Sequence, residues 1–178
     1  YSYAEAARSL ATADILAGHH AVMAEHIRGG TTLFMYVNAL AYSALGDRVV
    51  VQRLLVAFLS VLAIPLAYAL CRQMFCGLGR GRSGTIGVLA ALGLATSYWF
   101  LHFSRVGLET GLVPTVVMLS LVLFWQGVRN GRAVTFVLCG LGVGAGIYLD
   151  PGLQLLPLVL LLFAVCTRLG IVRLEAAD

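Results

Sequence analysis

Apolar residues fill this chain in long runs, and the polar positions between them recur at intervals that fit membrane-crossing helices. A helix needs about 20 apolar residues to cross the hydrocarbon core. Five runs meet or approach that length: Val49–Phe75, Ser83–Phe103, Glu109–Val128, Ala133–Leu149 and Pro151–Thr167. The first carries Gln52, Arg53 and Arg72 near its ends and Pro65 inside, where a membrane helix tolerates a kink. Two stretches come earlier. Tyr1–Ala17 mixes Glu5, Arg8 and Asp14 with alanine and leucine, a pattern for an amphipathic helix lying at the interface. Thr31–Leu45 is apolar but only fifteen residues long, which suits a second interfacial or re-entrant helix. The pattern therefore predicts an all-α polytopic membrane helix bundle, with about five transmembrane helices preceded by two interfacial ones. Residues 1–48 would form an extracytoplasmic loop region, 49–168 the bundle, and 169–178 a cytoplasmic tail or truncated loop.

Composition strengthens this picture. The 178 residues are 60% hydrophobic and 11% charged, with a mean hydropathy of +0.92, whereas a soluble domain carries about 25% charge. All twelve basic residues are arginine. They are spread thinly between apolar runs instead of forming a patch, so the net charge of +4 reads as membrane topology and not as nucleic-acid binding. The chain opens on Tyr1 with no basic segment and cleavage site of a signal peptide, and is expected to be part of something longer. Cys71, Cys76, Cys139 and Cys166 lie in or beside apolar runs without nearby histidines, and read as small hydrophobes.

Arginine placement predicts an orientation. With five spans counted from Val49, one side receives Arg72, Arg80, Arg82, Arg129, Arg132, Arg168 and Arg173, which the positive-inside rule makes cytoplasmic. Six of the eight acids, Glu5, Asp14, Glu25, Asp47, Glu109 and Asp150, then gather on the other side. Counting Thr31–Leu45 as a span would reverse this and place the "RQMFCGLGRGR" turn outside, against the charge bias. A multi-pass protein of the cell membrane is expected.

In this topology Arg105 and Glu109, within "FSRVGLETGL", sit at the outer turn between the second and third spans, and share a face if that turn is helical. Asp150, in "IYLDPG", sits at the next outer turn. An ion pair at headgroup level would explain the first two. A water-accessible cleft lined by carboxylates is the functional alternative.

Four pieces in order carry a family resemblance: "YAEAAR" with "ILAG"; "LFMYVNALAYSALGDRVVVQRLLVAFLSVLAIPLAYAL"; "YWFLHFSRVGLET"; and "GLGVGAGIYLD". Together they run from the N-terminus to about Arg168. They resemble the polytopic C-type glycosyltransferases that use polyprenyl-phosphate sugars, the branch of protein O-mannosyltransferases and aminoarabinose transferases. The resemblance implies a membrane enzyme that moves a sugar from a polyprenyl-phosphate donor to a protein, lipid or glycan acceptor on the extracytoplasmic face. It puts Glu109 at the family's second acidic position. A carboxylate would take the acceptor proton, and an arginine, Arg53 or Arg105, would grip the phosphate. The family's principal carboxylate lies before the position of Tyr3, so Glu5 matches only the acid within the amphipathic helix. Where the family often has proline, this chain has "GGTTLF", which affects the placement of Glu25 and Arg28. This stretch by itself is not expected to be active.

Other residues admit simpler readings. His19, His20 and His26 share a loop with Glu25 but match no zinc spacing, so no cofactor is assigned and the need for a divalent metal stays open. His102 could reach a phosphate, yet beside Tyr98 and Trp99 it fits an interfacial aromatic belt. The glycines of "GLGVGAGIY" suit close helix packing, and "GLGRGR" suits contact with anionic membrane lipids. The rival functions are a transporter or flippase subunit, which should show repeats and helices broken at the midplane, and an assembly subunit without chemistry.

Overall fold

The computed structural model describes residues 32–45, 49–107 and 109–168, and every regular element among them is helical. The expected helix over Tyr1–Ala17 and the tail 169–178 lie outside the described residues. The helices are α1 (Thr32–Leu45), α2 (Val49–Val61), α3 (Ala63–Met74), α4 (Arg80–Thr96), α5 (Tyr98–Val106), α6 (Val113–Asn130), α7 (Ala133–Ile147) and α8 (Leu156–Arg168). Short 3₁₀ turns at Cys76–Leu78, Glu109–Leu112 and Pro151–Leu155 link them.

Two helical stretches are long and apolar enough to cross a membrane. They are Val50–Met74, which joins α2 and α3, and Glu109–Asn130. The break between α2 and α3 falls at Leu62, and Pro65 explains it. Proline has no N–H to offer the Val61 carbonyl and its ring crowds that group, so the ladder loosens there without losing its direction.

α4 and α5 form a pair bent by 55° at Ser97, where ψ is 121°. Just before the bend the Thr96 hydroxyl donates to the Leu92 carbonyl at 2.8 Å, a back-bond that competes with the helix ladder. The apolar part of α4 rises about 21 Å, and α5 adds about 8 Å along the same axis, so the pair together approaches a hydrocarbon thickness of ~30 Å. It thus counts as a third crossing only if both arms are taken as one. α7 and residues 152–165 are apolar but shorter.

α3 packs along both α4 and α6, and α6 along α7. Gly87 permits the α3–α4 approach, since a Cβ there would lie 2.8 Å from the Tyr68 ring and 3.0 Å from the Tyr68 carbonyl. In "GLGVGAGIY" the packing role is split. Gly142 and Gly146 meet Ser120, Val116 and Leu153, while Gly140 and Gly144 face open space. One apolar cluster joins Phe34, Val56, Leu112 and Leu149. A second joins Phe124, Cys139, Val143 and Leu160. Outside these clusters Leu54, Phe58, Leu89, Leu141 and Leu161 are exposed, a surface better suited to lipid than to water.

Candidate functional site

The site forms where α1, the start of α2 and the α5–α6 turn meet. On α1 the residues Phe34, Met35, Asn38, Ala39 and Tyr42 are buried, spacings of one helical face. Tyr42 donates its hydroxyl proton to Gln52 Oε1 at 3.1 Å. Gln52, only 3% exposed, donates Nε2–H to the Gly107 carbonyl at 2.9 Å. One turn pair further along, the Ser60 hydroxyl donates to the Gly111 carbonyl at 2.8 Å and that of Thr115 to the Leu59 carbonyl at 3.0 Å. Two of these side-chain hydrogen bonds hold the Gly107 and Gly111 carbonyls of the turn, and the other two tie α1 and α6 to α2 on either side of it. Each satisfies a group that would be costly to strand in an apolar surround.

Gly107 makes the turn itself. Its φ of +77° ends α5 in the left-handed conformation that glycine adopts without a Cβ penalty. A Cβ at this position would also sit 3.0 Å from Arg53 Cγ and 3.4 Å from Arg53 Cα, so the bare backbone lets α2 come close. The condition under which Arg105 and Glu109 would share a face, a helical turn running through both, is therefore not met. The helix stops at Val106, Arg105 belongs to its last turn, and Glu109 begins a separate 3₁₀ turn. Arg105 is exposed and complements the carbonyl end of α5.

The turn instead brings the Arg53 side chain against Gly107, two residues before Glu109. Arg53 is exposed, whereas Glu109 is half-buried and its Oε2 is shielded from solvent. Thr110 and Gly111 of the same turn border an apolar groove of about 320 Å³ between the bent α4–α5 pair and the start of α6, lined also by Leu94, Trp99, Phe103 and Pro114. Leu149 packs in the same cluster as Leu112, which puts the Asp150 turn at the same end of the bundle.

Asp150 has a structural task there. It caps the 3₁₀ turn, accepting the Gly152 N–H on Oδ1 at 2.7 Å. His102 is half-buried and stacked on Tyr98, with ring centroids 5.8 Å apart and planes 19° from parallel, and Trp99 stacks on Phe103 in the same way at 5.9 Å. Glu5 and Glu25 lie outside the described residues, as do His19, His20 and His26. Among the described residues no three metal-ligating side chains gather.

Sequence reasoning passed over Gln52, Ser60 and Asn38. Asn38 is 2% exposed and its Oδ1 accepts no hydrogen bond among the described residues. A signal existed in all three cases: each is a polar residue within an apolar run, where burial is costly unless a partner or a task is at hand. Comparison of the chain with protein-family models, curated proteins and solved structures gives no match.

Proposed function

We propose that this chain is the membrane-embedded part of an inverting glycosyltransferase that uses a polyprenyl-phosphate sugar. One observation carries the reading: Arg53 lies against the turn that bears Glu109, beside an apolar groove. Transfer from a lipid-phosphate donor needs these three things together. The groove takes apolar carrier, Arg53 holds the phosphate with its forked donors, and Glu109 serves as base. Arg105 adds positive potential at the same end. The acceptor hydroxyl oxygen bonds to the anomeric carbon as the carbon–oxygen bond to phosphate breaks. The electron pair leaves on the phosphate, whose charge Arg53 balances, and the hydroxyl proton passes to Glu109. In this reading the chain crosses the membrane about five times, with α7 and α8 as the short last hairpin, and the Glu109 end faces the extracytoplasmic side. Donor lipid and bulk membrane lipids are its partners.

The bend at Ser97 favours a second reading, a transporter or flippase subunit, because such proteins use broken helices. Those breaks lie near the middle of a span. Ser97 instead divides seventeen residues from nine, and the shorter arm is the aromatic one.

The test is transfer from a radiolabelled polyprenyl-phosphate sugar by the full-length protein. Glu109→Gln keeps size and hydrogen bonding but cannot take the proton, and should lower the rate by about 100-fold or more. An unchanged rate would remove Glu109 from the mechanism. Donor binding without any transfer would favour the transporter.

A further inference from the structure

The opposite end of the bundle carries a cavity of about 670 Å³, formed where the last turns of α3 and α6 meet the first turn of α4. Arg72, Arg80 and Arg129 line it, with Tyr68, Gln73 and Ser83 between them. No carboxylate lines it among the described residues. Three cations converging on one concave surface repel one another unless an anion sits among them.

Two of the arginines have a local reason to be there. Arg72 and Arg129 occupy the last turns of their helices, where cations complement exposed carbonyls. Arg80 has the opposite setting. It opens α4 at the end where backbone N–H groups already make the potential positive, and no acid stands in that first turn. The first ladder bond runs from Ser83 N–H to the Gly79 carbonyl, and the cap, Gly79, has no side chain to accept from the earlier N–H groups. Space is open above Gly79 and Gly81, so an approaching group meets bare backbone. A bound anion would offset the mutual repulsion of the three arginines and the unfavourable setting of Arg80 at the α4 N-terminus.

We propose that this cavity binds the phosphate of an anionic phospholipid headgroup, held by the Arg72, Arg80 and Arg129 guanidinium forks and the N-terminus of α4. The lipid source follows from the position. Arg53 and Arg72 stand near opposite ends of the apolar stretch Val50–Met74, and nineteen residues of helix rise about 28 Å, close to the thickness of the hydrocarbon core. The cavity therefore lies at headgroup level, with apolar helix faces below it to receive the chains. Binding here is independent of the sugar-transfer reading.

The full-length protein in nanodiscs of phosphatidylcholine, with or without phosphatidylglycerol, would be released into native mass spectrometry and its retained lipids counted. Phosphatidylglycerol should be retained preferentially. Each of Arg72→Gln, Arg80→Gln and Arg129→Gln should weaken retention by roughly fivefold, and the triple variant by much more. Arg→Lys at the same three sites keeps the charge, protects against a folding artefact, and should retain lipid at an intermediate level. Arg132→Gln, just outside the cavity lining, should leave retention unchanged. Equal loss with Arg132→Gln, or no loss in the triple variant, would overturn the site. Inorganic phosphate binding in lipid-free detergent as tightly as the lipid would overturn the lipid as its occupant.

Discussion

At one end of the bundle Gln52, Ser60, Tyr42 and Thr115 direct their hydrogen bonds inward, tying a glycine turn to two helices. At the other, Arg72, Arg80 and Arg129 surround a cavity that no described carboxylate enters. The first end mounts one acid on a turn whose Gly107 and Gly111 carbonyls are matched within the protein, while Asn38 Oδ1 beside it accepts no hydrogen bond among the described residues. The second leaves exposed cationic groups around a space, and the proposed lipid would be their partner. The difference teaches that arginine number alone does not mark a site. Arg53 and Arg105 belong to the first end, Arg53 packed against Gly107 and Arg105 in the last turn of α5, whereas the three at the second end line one cavity.

The largest effect expected is the loss of transfer in Glu109→Gln, about 100-fold or more. It would sharpen the contrast if the three cavity variants, assayed in the same membranes, kept their transfer rate within a few-fold. Gly107→Ala comes next. An alanine must adopt the left-handed conformation and press on Arg53, so thermal unfolding in detergent should register a loss of about 2 kcal/mol. Gln52→Leu removes a bridge between the Tyr42 hydroxyl and the Gly107 carbonyl and leaves that carbonyl without its side-chain donor, at a cost of roughly 1–3 kcal/mol by the same measurement. If either variant proved neutral, the turn would not be the mount described.

Much of this was legible in the chain. The apolar run from Val49 to Phe75, with Pro65 inside, foretold one long crossing and its loosened point. Glu109–Val128 foretold the other, because a run of that length has few alternatives to a buried or lipid-facing helix. The Gly107 stop was also written in "SRVGLET", since a glycine directly after a helix is a usual terminator. The shared face of Arg105 and Glu109 depended on a helical turn, and that glycine argues against one. The bend at Ser97 was not readable. No proline or glycine stands at it, and the Thr96 hydroxyl bond just before it depends on a rotamer. Nor was the gathering of Arg72, Arg80 and Arg129 readable as a cavity, because it requires knowing that three helix ends, from three different runs, converge.

The smallest effects carry the finest discrimination between the two ends. In lipid-free detergent at low salt, Arg72→Gln removes a cation from a helix C-terminus and should lower stability by a few tenths of a kcal/mol. Arg80→Gln removes one from a helix N-terminus and should raise stability by a similar amount. Opposite signs would show that the helix ends, and not the shared cavity alone, set the worth of each arginine when no anion is bound. Adding phosphatidylglycerol should reverse the second sign, because the native Arg80 then gains a phosphate partner that the glutamine variant grips less well. Two shifts of the same sign, indifferent to lipid, would mean that these arginines are ordinary solvated charges. The contrast between a turn matched within the protein and a ligand-dependent end would then reduce to the Glu109 turn alone.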